Sequence, residues 1–125
     1  MLYDVEVLHL MGKSDELQMN QENLADAWRQ TLPETLKDAD RSRVLPDESD
    51  SKALRVTIDT AGHQMYSFDF KVTYVDSREV KVELIDVEKD KVSIDERGDI
   101  IQELIQNYTR HLHECAQALQ RLTHA

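Results

Sequence analysis

Cysteine, proline and glycine are all scarce in this chain, which has one cysteine, two prolines and three glycines among 125 residues. Since a single thiol has no partner, Cys115 forms no disulfide within the chain, and such cysteine usage is typical of a reducing compartment. The glycines stand alone at Gly12, Gly62 and Gly98, so no glycine-rich loop is present to hold a phosphate group. We therefore expect no disulfide framework and no bound cofactor.

Long apolar runs are also missing from the sequence. No window approaches the roughly 18 apolar residues that a membrane-spanning helix needs. The first residues include Asp4 and Glu6, whereas a secretory signal begins with basic residues. These features predict a cytoplasmic protein that does not contact a membrane.

Basic residues are outnumbered, with 15 lysines and arginines against 25 acids and a net charge of −10. Residues 1–50 hold 12 of the acids and only 5 of the bases. This balance repels phosphate backbones, so we expect no nucleic-acid partner. It favours a basic protein partner, and it is also typical of a solvated surface or of an acidic mimic of nucleic acid.

Alternating apolar and polar residues predict an antiparallel meander between residues 53 and 88. The alternation covers residues 54–58, 66–74 and 80–84, with turn residues between them. At Ile85 the apolar positions shift by one, which indicates a bulge or a strand end.

One face of this meander is apolar and the other carries charges of both signs. The polar face comprises Arg55, Thr57, Asp59, Asp69, Lys71, Thr73, Lys81 and Glu83. Such a face is either solvated or a docking surface, and the pattern does not separate the two.

A change to three- and four-residue spacing predicts an amphipathic helix over residues 20–32. Asn20 is the expected N-cap, and Pro33 is expected to end or kink the helix. Residues 40–52 are rich in turn-forming residues, so they are predicted to form a mobile loop.

The same spacing predicts a longer helix over residues 99–122, which begins with a capping box formed by Asp99 and Gln102. Its apolar stripe consists of Ile101, Ile105, Tyr108, Leu112, Cys115, Leu119 and Leu122. The patterns together predict a single α+β domain over residues 1–125. In this two-layer fold, a meander of three to four strands, to which residues 3–10 can add, packs against the long C-terminal helix and the shorter N-terminal helix.

The long helix is predicted to extend past the sheet, because it measures about 36 Å whereas a nine-residue strand spans about 30 Å. The apolar positions Leu112, Leu119 and Leu122 then need a cover. Either the N-terminal helix covers them or they form the contact of a homodimer.

His111 and Cys115 are the best candidates for a metal site, since they lie one helical turn apart. Two ligands are insufficient, and a third has to come from His9, from His63 in a predicted turn, from His124 or from a carboxylate. The pair also resembles a thiol with a nearby base, but the second half of a helix disfavours a thiolate. The alternative to a metal or thiol site is that Cys115 is a small buried residue of the core and that both His111 and His113 lie on the surface.

No catalytic constellation stands out in this sequence. The leading hypothesis is therefore a non-enzymatic protein-interaction module of the cytosol, such as an adaptor, an inhibitor or a chaperone-like regulator. It is expected to form a dimer and to bind another protein through its acidic N-terminal half or the exposed end of the C-terminal helix. The alternative is a small ligand- or metal-binding enzyme whose pocket lies between the sheet and the helices, with His111, Cys115 and His63 as candidate residues.

Overall fold

A computed structural model of the chain describes residues 16–17, 19–36, 40–61, 66–90 and 92–124. The strand predicted at residues 3–10 lies outside these described residues, and so does His63.

The described residues form three helices and five strands. In chain order these are α1 (Gln21–Thr35), β1 (Arg41–Pro46), β2 (Ala53–Asp59), β3 (Tyr66–Tyr74), β4 (Val80–Lys89), β5 (Val92–Ser93), α2 (Asp99–Ala118) and α3 (Gln120–Thr123). The predicted α+β class is confirmed, with a slightly larger sheet than the three to four strands expected. None of the helices in this part of the chain is long and apolar enough to cross a bilayer.

The five strands form one antiparallel sheet in the order β1-β2-β3-β4-β5. Along β3 and β4 the pairing shifts: Asp69 pairs with Asp86 while Phe70 pairs with Leu84, which leaves Ile85 as the extra residue of a bulge. The shift predicted at Ile85 is therefore confirmed. It keeps the apolar side chains of β4 on one face of the sheet on both sides of the irregularity.

Apolar side chains of the central strands meet α1 and α2 on one face, which we call the inner face. The fully buried residues there are Leu54, Val56, Ile58, Phe68, Phe70, Val72, Val87, Leu24, Ala25, Trp28, Leu32, Leu112 and Cys115. Helix α2 also packs against α1. This is the two-layer arrangement that the sequence patterns predict.

The prediction of a loop over residues 40–52 is wrong for its first half, which is strand β1. This strand pairs with β2 from Arg41 opposite Asp59 to Pro46 opposite Leu54. Its local pattern is weak because it has only one buried apolar residue, Val44. Neighbouring elements hold it in place, since the Arg29 Nε of α1 donates to the Val44 carbonyl at 2.8 Å.

The turn between β1 and β2 is also tied to helix α1. The Gln21 Nε2 lies 2.9 Å from the carbonyl oxygens of Asp47, Asp50 and Ala53. The Asp47 carboxylate accepts from the backbone and hydroxyl of Ser49, which holds the pKa of that carboxyl below its usual value. One side chain of α1 therefore fixes the turn that starts β2.

Helix α1 begins as predicted and ends later than predicted. Asn20 is the N-cap, and its Oδ1 accepts from the Asn23 backbone at 2.8 Å. Pro33 does not end the helix, which continues to Thr35. Burial of Leu32 and Leu36 on both sides of the proline offsets the backbone hydrogen bond that it cannot donate.

Helix α2 differs from the prediction at both ends. Gly98 is its N-cap and Asp99 is its first residue, so the expected capping box does not form; the Gln102 Nε2 donates to the Glu96 carbonyl instead. The helix stops at Ala118 rather than running to residue 122, because Leu119 leaves helical geometry with φ −97° and ψ 2°.

This break changes which side chain the C-terminal segment buries. Leu119 stays in the core, whereas Leu122 is 43% exposed and Thr123 is buried. The Thr123 Oγ1 donates to the Ser77 carbonyl at 2.8 Å. The turn between β3 and β4 therefore holds the end of the chain through a polar contact that an apolar stripe does not predict.

Two tyrosines link the layers through their hydroxyl groups. The Trp28 Nε1 donates to the Tyr74 hydroxyl at 3.1 Å, and the Tyr108 hydroxyl lies 3.2 Å from both Asp40 Oδ2 and Thr60 Oγ1. Burial raises the pKa of each tyrosine to about 12. These contacts satisfy the hydroxyls where they leave water.

Alanine substitutions at two leucines distinguish the core from the surface of the C-terminal segment. We expect Leu112→Ala to lower the free energy of unfolding by about 2–5 kcal/mol, because it leaves a cavity in a packed core. Leu122→Ala, the matched control, is expected to change it by about 0.5 kcal/mol or less. Urea unfolding measures both. Equal losses would contradict the burial of Leu112.

The raised tyrosine pKa values make stability depend on pH in the alkaline range. The usual tyrosine pKa is 10.0, and in the folded protein it is about 12. Between these two pH values, the unfolded chain releases phenolic protons that the folded chain retains. The free energy of unfolding must therefore fall as pH rises through this range. Urea titrations of the wild type and of Tyr108→Phe should give a shallower decline for the variant. An unchanged slope would contradict the raised pKa of Tyr108.

Candidate functional site

Cys115 lies in the interior of the protein, with no solvent exposure. Burial raises the pKa of its thiol to about 12, and the nearby Glu34 carboxylate acts in the same direction. The thiol is therefore protonated at neutral pH, whereas both metal binding and nucleophilic attack need the thiolate. Its position is that of a small apolar core residue.

His111 and Cys115 lie on the same side of α2, but their surroundings are not those of a metal site. The His111 side chain is 19% exposed, and its Nδ1 lies 3.4 Å from Glu114 Oε1. His113 points to the exposed side of the helix. No group of three His, Cys, Asp or Glu residues suited to an ion is found within the part of the chain that the structure describes.

His124 contacts the turn between β3 and β4 through both ring nitrogens. Its Nδ1 is hydrogen-bonded to Ser77 Oγ, and the Arg78 Nε donates to its Nε2 at 3.1 Å. A guanidinium only donates, so Nε2 accepts and the ring's proton lies on Nδ1, which donates to Ser77. Since the serine is the acceptor, this pair does not activate a nucleophile.

The three leucines predicted as interaction residues differ in their placement. Leu112 and Leu119 are 0% and 4% exposed and belong to the chain's own core. Of the two predicted ways to cover these side chains, packing within the chain is therefore the one that the structure shows. These two side chains leave no area for a partner, which corrects their assignment as dimer contacts. Leu122 is 43% exposed and stands apart from that core.

The face of the sheet opposite the helices, which we call the outer face, carries the charged residues of the strands. Since side chains alternate along a strand, residues next to the buried Val44, Val56, Phe70 and Val87 point outward. The charged set is Arg41, Arg43, Arg55, Asp59, Asp69, Lys71, Lys81, Glu83, Asp86 and Glu88. No helix within the described residues packs on this face.

A depression of about 1050 Å³ lies at one end of the outer face. Strands β1 to β4 and the residues just beyond them line it: Arg41, Ser42, Arg43, Thr57, Asp59, Thr60, Tyr66, Ser67, Asp69, Glu88 and Asp90. Four carboxylates and two guanidinium groups therefore share a polar, open concavity. This composition suits a charged, polar partner rather than an apolar ligand.

Ion pairs neutralise only part of this charge. The Arg55 Nη2 lies 2.6 Å from Asp69 Oδ2, and the Arg43 Nη2 lies 3.8 Å from Asp59 Oδ1, which also accepts from Ser67. Pairs as exposed as these stabilise by at most about 1 kcal/mol. The charged side chains of the outer face can therefore exchange these partners for those of another molecule.

The arginines of β1 are the part of this surface that sequence reasoning missed. The predicted polar face included eight residues of β2 to β4, but the loop predicted at residues 40–52 removed Arg41 and Arg43 from it. The sequence signal for this strand is the alternation of Arg41 and Arg43 with Ser42 and Val44. This alternation is too short to outweigh the turn residues that follow.

Comparisons with known proteins do not place the chain in a family: no protein-family model, curated protein or solved structure matches it. Its class is therefore defined by the fold, a two-layer α+β domain with both long helices on one face of an antiparallel sheet. The functional assignment depends on the geometry of the other face.

Thiol labelling tests the placement of Cys115. We expect Ellman's reagent to leave the folded protein unmodified at mildly alkaline pH and to label it only as fast as the chain unfolds. The same protein in urea, where the thiol is exposed, is the positive control. Rapid labelling under native conditions would place Cys115 in a cleft and restore the hypothesis of thiol chemistry.

Proposed function

We propose that this protein is a non-enzymatic protein-interaction module of the cytosol, which binds another protein molecule through the outer face of its sheet. The observation that carries this proposal is the difference between the two faces of the sheet. Its inner face is filled by the chain's own helices, whereas its outer face presents a charged depression of about 1050 Å³.

The outer face has the properties of a protein-binding surface rather than of a reaction site. It is rigid, since hydrogen-bonded strands position its side chains. Its charged groups are open to solvent, whereas burial in apolar surroundings is what shifts a carboxyl toward acid or base catalysis. A rigid charged surface of this kind supports specificity and fast association.

The chemistry of the partner follows from the charges in the depression. Asp59, Asp69, Glu88 and Asp90 outnumber Arg41 and Arg43. Within the described residues, Glu88 and Asp90 form no ion pair. A partner that supplies basic side chains to this side would gain charge-assisted hydrogen bonds.

The alternative of a ligand- or metal-binding enzyme receives less support. Its pocket was expected between the sheet and the helices, where Trp28, Phe68, Tyr74 and Leu112 are packed. Its proposed thiol, Cys115, is protonated in that environment.

Substitution at the centre of the outer face tests the proposed function. Thr57 lies on β2 between Arg43 and Asp69 in the depression, and its side chain is partly exposed. Thr57→Arg fills this position with a large side chain. We expect the variant to lose most of the intermolecular adducts that a zero-length crosslinker forms with tagged wild-type protein in a cell lysate. High salt should reduce these adducts in the wild type.

Gln106→Arg is the matched control, since it adds the same charge on the exposed side of α2. This control should crosslink like the wild type, and both variants should unfold at similar urea concentrations. If Thr57→Arg forms the same adducts as the wild type, the outer face is not the binding surface.

A further inference from the structure

The charge on the outer face changes sign from one side of the sheet to the other. At the end of the outer face that carries the depression, β1 contributes Arg41 and Arg43, whereas β4 contributes Glu88 to the lining. Asp86 lies two residues before Glu88 on β4, where its carboxylate accepts from Ser93 and the Val87 backbone. The central strands β2 and β3 contribute one carboxylate each. Across about 14 Å, which is three strand spacings, the surface passes from positive to negative.

The carboxylates of the central strands already have partners in the chain. Asp59 interacts with Arg43 and Ser67, and Asp69 with Arg55. Arg41 and Glu88, at the two sides, form no ion pair or side-chain hydrogen bond within the described residues. Among the charges that line the depression, those available to a partner are therefore of opposite sign and lie on opposite sides of it.

A surface with this distribution is complementary to itself. We propose that the outer face binds the outer face of a second copy of this chain, about a two-fold axis parallel to the strands. This proposal rests on the proposed function and names the partner of that surface.

A two-fold axis within the interface plane can lie parallel or perpendicular to the strands. An axis parallel to the strands places β1 of one copy over β4 of the other, so that Arg41 faces Glu88 of the partner subunit and Arg43 faces Asp86 of the partner subunit. An axis perpendicular to the strands places β1 over β1 and brings arginines together. Like-charge contacts oppose the second arrangement, and a two-fold repeats each favourable contact of the first.

The area of the face sets the strength of this dimer. Four strands and their side chains cover about 20 by 25 Å, or about 500 Å² per copy, whereas stable interfaces bury about 800 Å² per partner. The contact is also charged rather than apolar. The dimer should therefore be weak, reversible and sensitive to salt.

A charge swap between two variants tests both the partner and the orientation. Arg41→Glu and Glu88→Lys each place like charges at both symmetric contacts of a homodimer. We expect each to weaken dimerisation about tenfold or more in sedimentation velocity at low salt. An equimolar mixture should recover wild-type affinity. In the heterodimer, the carboxylate introduced by Arg41→Glu faces the ammonium introduced by Glu88→Lys, while the other contact keeps its native charges.

Arg110→Glu makes the same charge change on the exposed side of α2 and should leave dimerisation unchanged. Urea unfolding of each variant shows whether it is folded, and recovery in the mixture requires that both are. A wild type that stays monomeric at low salt overturns the proposal. A dimer whose affinity is unchanged in both single variants also overturns it. The same holds if both variants are folded and their mixture does not recover wild-type affinity.

The outcomes separate this inference from the proposed function. A monomeric protein that loses adducts with a different protein on Thr57→Arg would exclude the second copy and leave the interaction module. If Thr57→Arg forms the same adducts as the wild type, the outer face is excluded as the binding surface both for a different protein and for a second copy.

Discussion

Burial on one side of a sheet is the constraint on which the rest of this structure depends. A strand alternates its side chains, and in β2 and β3 the alternating apolar side chains from Leu54 to Ile58 and from Phe68 to Tyr74 lie in one core with those of α1 and α2. Val56, Phe68 and Phe70 have no solvent exposure. Apolar burial of this kind is the main favourable term in folding, so both helices must lie on the same face. The other face is consequently left to charged residues.

The same burial decides which residues can take part in chemistry. Cys115 of α2 and the aromatic rings of β3 lie in the interior between the helices and the sheet, where the thiol pKa rises to about 12. A group that is reactive in principle thereby becomes inert packing. The surface available for function moves to the outer face, where side chains are solvated and their ion pairs are weak.

Polar contacts with α1 extend the sheet beyond what its apolar pattern supports. Arg29 binds the Val44 carbonyl and Gln21 binds the turn before β2. These contacts hold β1 at the edge of the sheet, and β1 brings Arg41 and Arg43 to the outer face. The charge separation across that face therefore depends on hydrogen bonds made by a helix on the opposite side.

Strong periodicity was sufficient to predict a large part of the fold. The alternation in residues 54–58 and 66–74 and the shift at Ile85 specify strands and a bulge, because sheet sides and helix faces follow directly from residue spacing. The three- and four-residue spacing likewise specifies α1 and α2, and the Asn20 cap follows from its side-chain chemistry. The face bearing Asp59 and Asp69 was predicted as polar for the same reason.

The remaining features were decided by contacts between residues distant in the sequence. The backbone groups of β1 are paired by β2 and Arg29, and beyond the end of α2 at Ala118 the chain is held where Thr123 donates to the Ser77 carbonyl. The sequence alone determined the class of fold and the polarity of each face, since those depend on local spacing. Only the tertiary structure decided that Arg41 lies across the sheet from Glu88, because strand pairing joins segments whose spacing in the chain carries no trace of that contact.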